Sequence, residues 1–160
     1  MRKKYLTILI IILITVFIIF IFASLFLRSF DAKMQGMPKY DKSMCYYSDG
    51  FQDYTDYCKY FYNEISIKEF EKHSGFKRVT EQDVENIKSY FENFSNWVVH
   101  TEYYNNYDFD RSNIKINDCY YIKDKEGQPI GKSAYKKYDS YDVYYVDMEN
   151  YILYFIHNNI

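Results

Sequence analysis

The sequence predicts an α+β protein: one N-terminal transmembrane helix, then a single small domain with a long amphipathic helix packed on an antiparallel β-sheet. Three observations carry this expectation. The run from Tyr5 to Leu27 contains no charged residue. From Glu81 to about His100, apolar residues recur at three- and four-residue spacing, the period of a helix with one buried face. Beyond Asn113 the pattern changes to short aromatic and β-branched runs separated by turn residues, the signature of antiparallel strands.

As a helix, the 23 residues of Tyr5 to Leu27 would extend about 34 Å, against a hydrocarbon core of about 30 Å. A helix is the single-span solution, because hydrocarbon offers no partner to an unsatisfied backbone group. Arg2, Lys3 and Lys4 precede the run, and Arg28 and Lys33 follow it. The basic excess therefore lies on the N-terminal side, which predicts a cytoplasmic N-terminus (residues 1–4) and an extracytoplasmic remainder. A cleaved secretory signal has an apolar region of about 7–15 residues ending at small residues. Here Leu25, Phe26 and Leu27 continue the apolar run past Ala23 and Ser24, so an uncleaved signal anchor in the cell membrane is expected. Residues 28–43 contain Gly36 and Pro38, lack periodicity and read as a tether; residues 44–160 are long enough for one hydrophobic core.

Charge excludes one class of partner. Removing Arg2, Lys3, Lys4 and Arg28 from the 20 basic residues leaves 16 against 22 acidic ones. Such a surface argues against nucleic acid, which rewards clustered Lys and Arg. Three cysteines, Cys45, Cys58 and Cys119, fall on the side of the membrane where disulfides persist. Cys45 with Cys58 is the natural local pair, and free buried thiols are the alternative.

Within the domain, Met44 to Asn63 mixes aromatic and polar residues without clean separation, and its Tyr and Phe content favours strand over helix. Ser66 reads as the cap of a short helix, IKEFEKH, stopped by Gly75. Thr80 caps the long helix, with Glu81, Asp83 and Glu85 as first-turn acids. Its apolar face comprises Val84, Ile87, Tyr90, Phe91, Phe94, Trp97 and Val98, with Trp97 expected as a core anchor. A polar loop, Glu102 to Asn113, follows. Cys119 to Ile122, Tyr141 to Val146 and Tyr151 to His157 read as strands, with a turn or longer loop at EGQPIG and a hairpin connection at Asp147 to Asn150. Both faces of the last strand are apolar, which predicts a strand that is central or covered on both sides.

Few constellations suggest chemistry. Asp108, Asp110, Ser112 and Asn113 resemble the start of a calcium loop, but Asn113 stands where Gly is required and Cys119 where a bidentate Glu is required. A solvated acidic turn is the simpler reading, and no metal or cofactor is expected. His73, His100 and His157 lack metal-ligand spacing. Asn93-Phe94-Ser95 fits a glycosylation acceptor pattern but falls inside the long helix. His157, beside Asn158 and Asn159, is expected to satisfy backbone groups where the last strand ends. Tyr103, Tyr104 and Tyr107, beside Asn105, Asn106 and Asp108, could stack on sugar rings or seat a protein partner, since tyrosine offers an apolar face with a polar tip. Tyrosines that merely complete the fold are the competing explanation.

The stretch SYDVYYVDMENYILYFIHNNI, preceded by the helix EQDVENIKSYFENFSNW, resembles small membrane-anchored proteins of unknown function from Gram-positive bacteria. That resemblance implies the topology and transfers no activity. The function expected is a non-enzymatic binding or accessory module at the cell envelope, in contact with the lipid bilayer and an envelope protein or extracellular ligand. The competing class is a membrane-proximal hydrolase or transferase acting on wall or peptide substrates, using Cys119 or the acidic residues of the Tyr103 to Asp110 loop.

Overall fold

A computed structural model describes residues 12–22, 36–48 and 54–160. It divides into two compact units, residues 1–36 and Met37–Ile160. In the first, residues 12–22 are helical (α1), with exposed Leu, Ile, Val and Phe side chains along their length. The rest of the expected 5–27 span, the 1–4 terminus and the first half of the 28–43 tether, residues 28–35, lie outside the described residues. Among the described residues no helix is long and apolar enough to cross a membrane.

The second unit is α+β, with an antiparallel sheet and a helix packed on it. Its elements are β1 (Lys42–Tyr47), β2 (Tyr54–Phe61), α2 (Glu64–Ile67) running into a 3-10 turn (Lys68–Lys72), β3 (Lys77–Arg78), α3 (Glu81–Val98), β4 (Cys119–Asp124), β5 (Pro129–Ile130), β6 (Ser133–Ala134), β7 (Ser140–Asp147) and β8 (Ile152–Asn159). The main sheet runs β1-β2-β8-β7-β4-β3, every neighbouring pair antiparallel, while β5 and β6 form a separate small hairpin, β5 within EGQPIG and β6 just beyond it. Met44 to Asn63 thus contributes two strands, with β1 beginning at Lys42 in what the sequence suggested was tether; Pro38, further upstream, is already buried.

The last strand lies between β2 and β7, and alternation along it feeds two cores. On one face, Tyr57, Tyr141, Val143, Tyr145 and Ile156 meet Ile87, Tyr90, Phe91, Phe94 and Val98 of α3, with Phe109 and Ile114 from the following loop. On the other, Tyr144 packs on Phe155 with centroids 4.7 Å apart, and the layer continues through Phe76 and Phe70, the latter on the 3-10 turn. Both faces being covered explains why β8 carries apolar residues at successive positions.

Local chemistry sets the boundaries. The short helix starts at Glu64 because Asn63, not Ser66, caps it: the Asn63 side chain accepts the Ile65 and Ser66 N–H groups at 3.1 and 3.0 Å. Thr80 starts α3, its N–H and hydroxyl donating to the Asp83 carboxylate at 2.9 and 2.6 Å. The β7–β8 connection closes because Asp147 Oδ1 accepts the Glu149 and Asn150 N–H groups, and Tyr151 takes a left-handed φ of 59°. Cys45 and Cys58 are direct partners in the β1–β2 register and form a disulfide; Cys119 is buried and free.

Candidate functional site

The Tyr103, Tyr104 and Tyr107 surface is not assembled. Tyr103 is buried, stacked on Tyr46 at 5.9 Å, with its hydroxyl donating to the Thr55 carbonyl. Tyr107 turns inward against Tyr57 and Phe94, with ring centroids at 5.0 and 5.3 Å, and burial pushes its phenol up to about 12. Only Tyr104 is exposed, at 49%. The loop is aromatic because it closes the lower edge of the α3 core, so two of three rings serve packing.

The acidic residues beside them are also engaged. Asp108 accepts the Tyr57 hydroxyl at 2.8 Å and pairs with the Lys59 ammonium at 2.5 Å. Partial burial alone would raise this carboxyl; Lys59 and Tyr57 outweigh it and hold it below the usual carboxylate range. Asp110 accepts the Ser112 N–H at 2.8 Å and caps a short 3-10 turn. Among the described residues no group of three His, Cys, Asp or Glu is arranged to hold a metal ion.

Cys119 and the histidines do not converge. Burial pushes the Cys119 thiol up to about 11, which leaves almost no thiolate at neutral pH. On β4 it faces Val146, whereas His157 belongs to the row Asp56, His157, Asp142, Lys123, four residues further along β4. There the His157 ring meets the Asp142 carboxylate at 2.5 Å and stacks on Tyr54 at 4.9 Å. Its partner is a side chain on the neighbouring strand rather than the backbone groups expected from the sequence. His73 accepts the Gly75 N–H at 3.2 Å.

His100 belongs to a different place, a cleft of about 340 Å³ between the C-terminal end of α3 and the strand ends at Tyr47, Tyr54 and Asn159. Trp97, expected in the core, lines this cleft and is 40% exposed. At 100° per residue, Trp97 sits about 90° from the centre of the stripe formed by Ile87, Phe91, Phe94 and Val98. It therefore reaches the margin of the sheet instead of its middle. Tyr47, 39% exposed, and Tyr54 supply two further aromatic walls. Of the remaining lining, Ser48 accepts the Thr55 N–H at 2.8 Å, the Thr55 oxygens accept the Tyr103 hydroxyl, and Thr101 donates to the Val98 carbonyl at 2.7 Å. Glu102 stands at the rim, exposed, with no ion pair or hydrogen bond to its carboxylate among the described residues.

Sequence reasoning weighed His100 only as a metal ligand or a partner of Cys119 and placed Trp97 in the core, so it did not bring these residues together as a site. The available signal was the marginal position of Trp97 on the helical stripe. Compared with protein-family models, curated proteins and solved structures, the chain matches none of them.

Proposed function

We propose that the protein is a single-pass membrane-anchored binding module of the cell envelope, recognising a protein or extracellular ligand through the cleft lined by Trp97, Tyr47 and Tyr54. In this reading residues 5–27 span the bilayer, the N-terminus is cytoplasmic and the domain lies outside. The uncharged run, its basic N-terminal flank and the helical conformation of residues 12–22 support the anchor. The Cys45–Cys58 disulfide suits an oxidising compartment.

The observation that carries the binding role is a large indole left 40% exposed at a concave site of about 340 Å³, a size suited to a small ligand or one anchoring side chain. Aromatic rings that combine an exposed face with a neighbouring polar rim are what recognition sites use for anchoring. The hydrolase alternative draws no support from the groups named for it: the Cys119 thiol is buried, Asp108 is tied to Tyr57 and Lys59, and Asp110 caps a local turn.

Trp97 is the single tryptophan of the chain, so its emission reports on this cleft alone. The full chain in detergent is titrated with soluble cell-wall fragments and envelope peptides while Trp97 emission is followed. A saturable change is expected, and an unresponsive indole across all of them removes the binding role. Protease added to intact cells is expected to remove the domain; its survival there, with loss only after lysis, would refute the topology.

A further inference from the structure

We infer that the cleft takes a small soluble organic cation, an alkylammonium group, held against the Trp97, Tyr47 and Tyr54 rings with Glu102 as its counter-charge. The inference rests on the binding role proposed above and names the ligand class. It starts from what the cleft offers once internal hydrogen bonds are subtracted. Ser48, Thr55 and Thr101 are each committed to a neighbour, and the further polar side chains of the lining are His100, Asn159 and Glu102. Of these Glu102 brings negative charge, and Trp97, Tyr47 and Tyr54 bring aromatic surface.

Two independent sources supply that charge. Glu102 is the one formally charged side chain among the described lining residues, and no Lys or Arg is among them. The second source is α3. Its 18 residues end at Val98, beside the cleft, and its last turn contains no basic residue. The aligned peptide dipoles place about half a negative elementary charge at that end, and nothing in the last turn neutralises it. An anion would meet both of these unfavourably.

A cation meets both favourably and also gains from the rings. Indole binds cations through its negative π face more strongly than phenol does, and tyrosine adds to it. Alkylammonium groups suit such a wall better than a bare metal ion, because their methyl or methylene surface is weakly hydrated and loses little on leaving water. The cleft volume of about 340 Å³ accommodates a group of this size.

The test compares choline with 3,3-dimethylbutan-1-ol, which has the same shape and no charge. Both are titrated into the full chain in detergent at constant ionic strength, reading Trp97 emission, with a chitin oligosaccharide as a third ligand. Choline is expected to saturate, with affinity about tenfold or more above the neutral analogue. Glu102→Gln is expected to weaken choline severalfold and leave the neutral analogue unchanged, with an unaltered unfolding midpoint showing the fold intact. Equal affinity for choline and its neutral analogue, or a response to the oligosaccharide alone, would overturn the cationic class while leaving the cleft as a binding site. No response to any of the three would remove the cation inference, and the cleft's binding role would then stand or fall with the cell-wall and peptide titrations.

Discussion

The Tyr103 hydroxyl donates to the Thr55 carbonyl at 2.7 Å, joining the loop after α3 to strand β2 across 48 residues of sequence. The same hydroxyl lies 3.2 Å from Thr55 Oγ1. Both groups are buried, so this contact fixes one wall of the Trp97 cleft to the sheet.

Removing only that oxygen isolates its contribution. Tyr103→Phe keeps the stack on Tyr46 but leaves the Thr55 oxygens without this donor. A stability loss of about 1–2 kcal/mol is expected from urea unfolding. Tyr104→Phe, at an exposed ring, is expected to stay within about 0.5 kcal/mol of the parent.

Trp97 and Phe94, one turn apart on α3, should behave as opposites. Phe94 is fully buried, and Phe94→Ala is expected to cost about 3–5 kcal/mol through lost burial and the cavity left behind. Trp97→Ala is expected to cost about 1–2 kcal/mol, because much of the indole already faces water. Acrylamide should quench native Trp97 emission readily, and emission shielded as in a closed core would contradict the exposed position.

Asp83 couples the start of α3 to pH. Its carboxylate accepts from Thr80 and, at 2.7 Å, from the Tyr120 hydroxyl, and these bonds hold it below the ordinary value of 3.8. A carboxyl lowered in the folded state stabilises fully above its unfolded value and loses that contribution as pH falls through the folded value. Asp83→Asn is therefore expected to cost about 1 kcal/mol at pH 7. The gap between parent and variant should narrow as pH falls below about 4. Thermal unfolding midpoints from pH 7 to pH 2.5 measure this.

Thiol counting tests the cysteines. The native protein is expected to expose no reactive thiol, the unfolded unreduced protein one, from Cys119, and the unfolded reduced protein three. Replacing Cys45 and Cys58 together by Ser is expected to cost about 3 kcal/mol, the chain-entropy value for a loop of this length. Three thiols before reduction would show that the pair does not form.

What the sequence determined is local. The uncharged Tyr5 to Leu27 run, the period of α3 from Glu81 and the strands through Cys119, Val143 and Leu153 follow from composition and spacing, since a helix or strand repeats its buried face at a fixed interval. The doubled apolar pattern of Tyr151 to His157 likewise told of a strand with two covered faces. Tertiary structure alone decided the residues at the margins. Periodicity says which side of α3 is apolar, but whether Trp97 at the stripe's edge is covered depends on how far β2 and β8 extend beneath it. The tyrosines after α3 look equivalent in sequence, yet Tyr103 found the Thr55 carbonyl and Tyr104 found water. Cys45 met Cys58 because the β1–β2 register opposed them. Such choices depend on surfaces contributed by distant segments, and no local pattern of residues contains them.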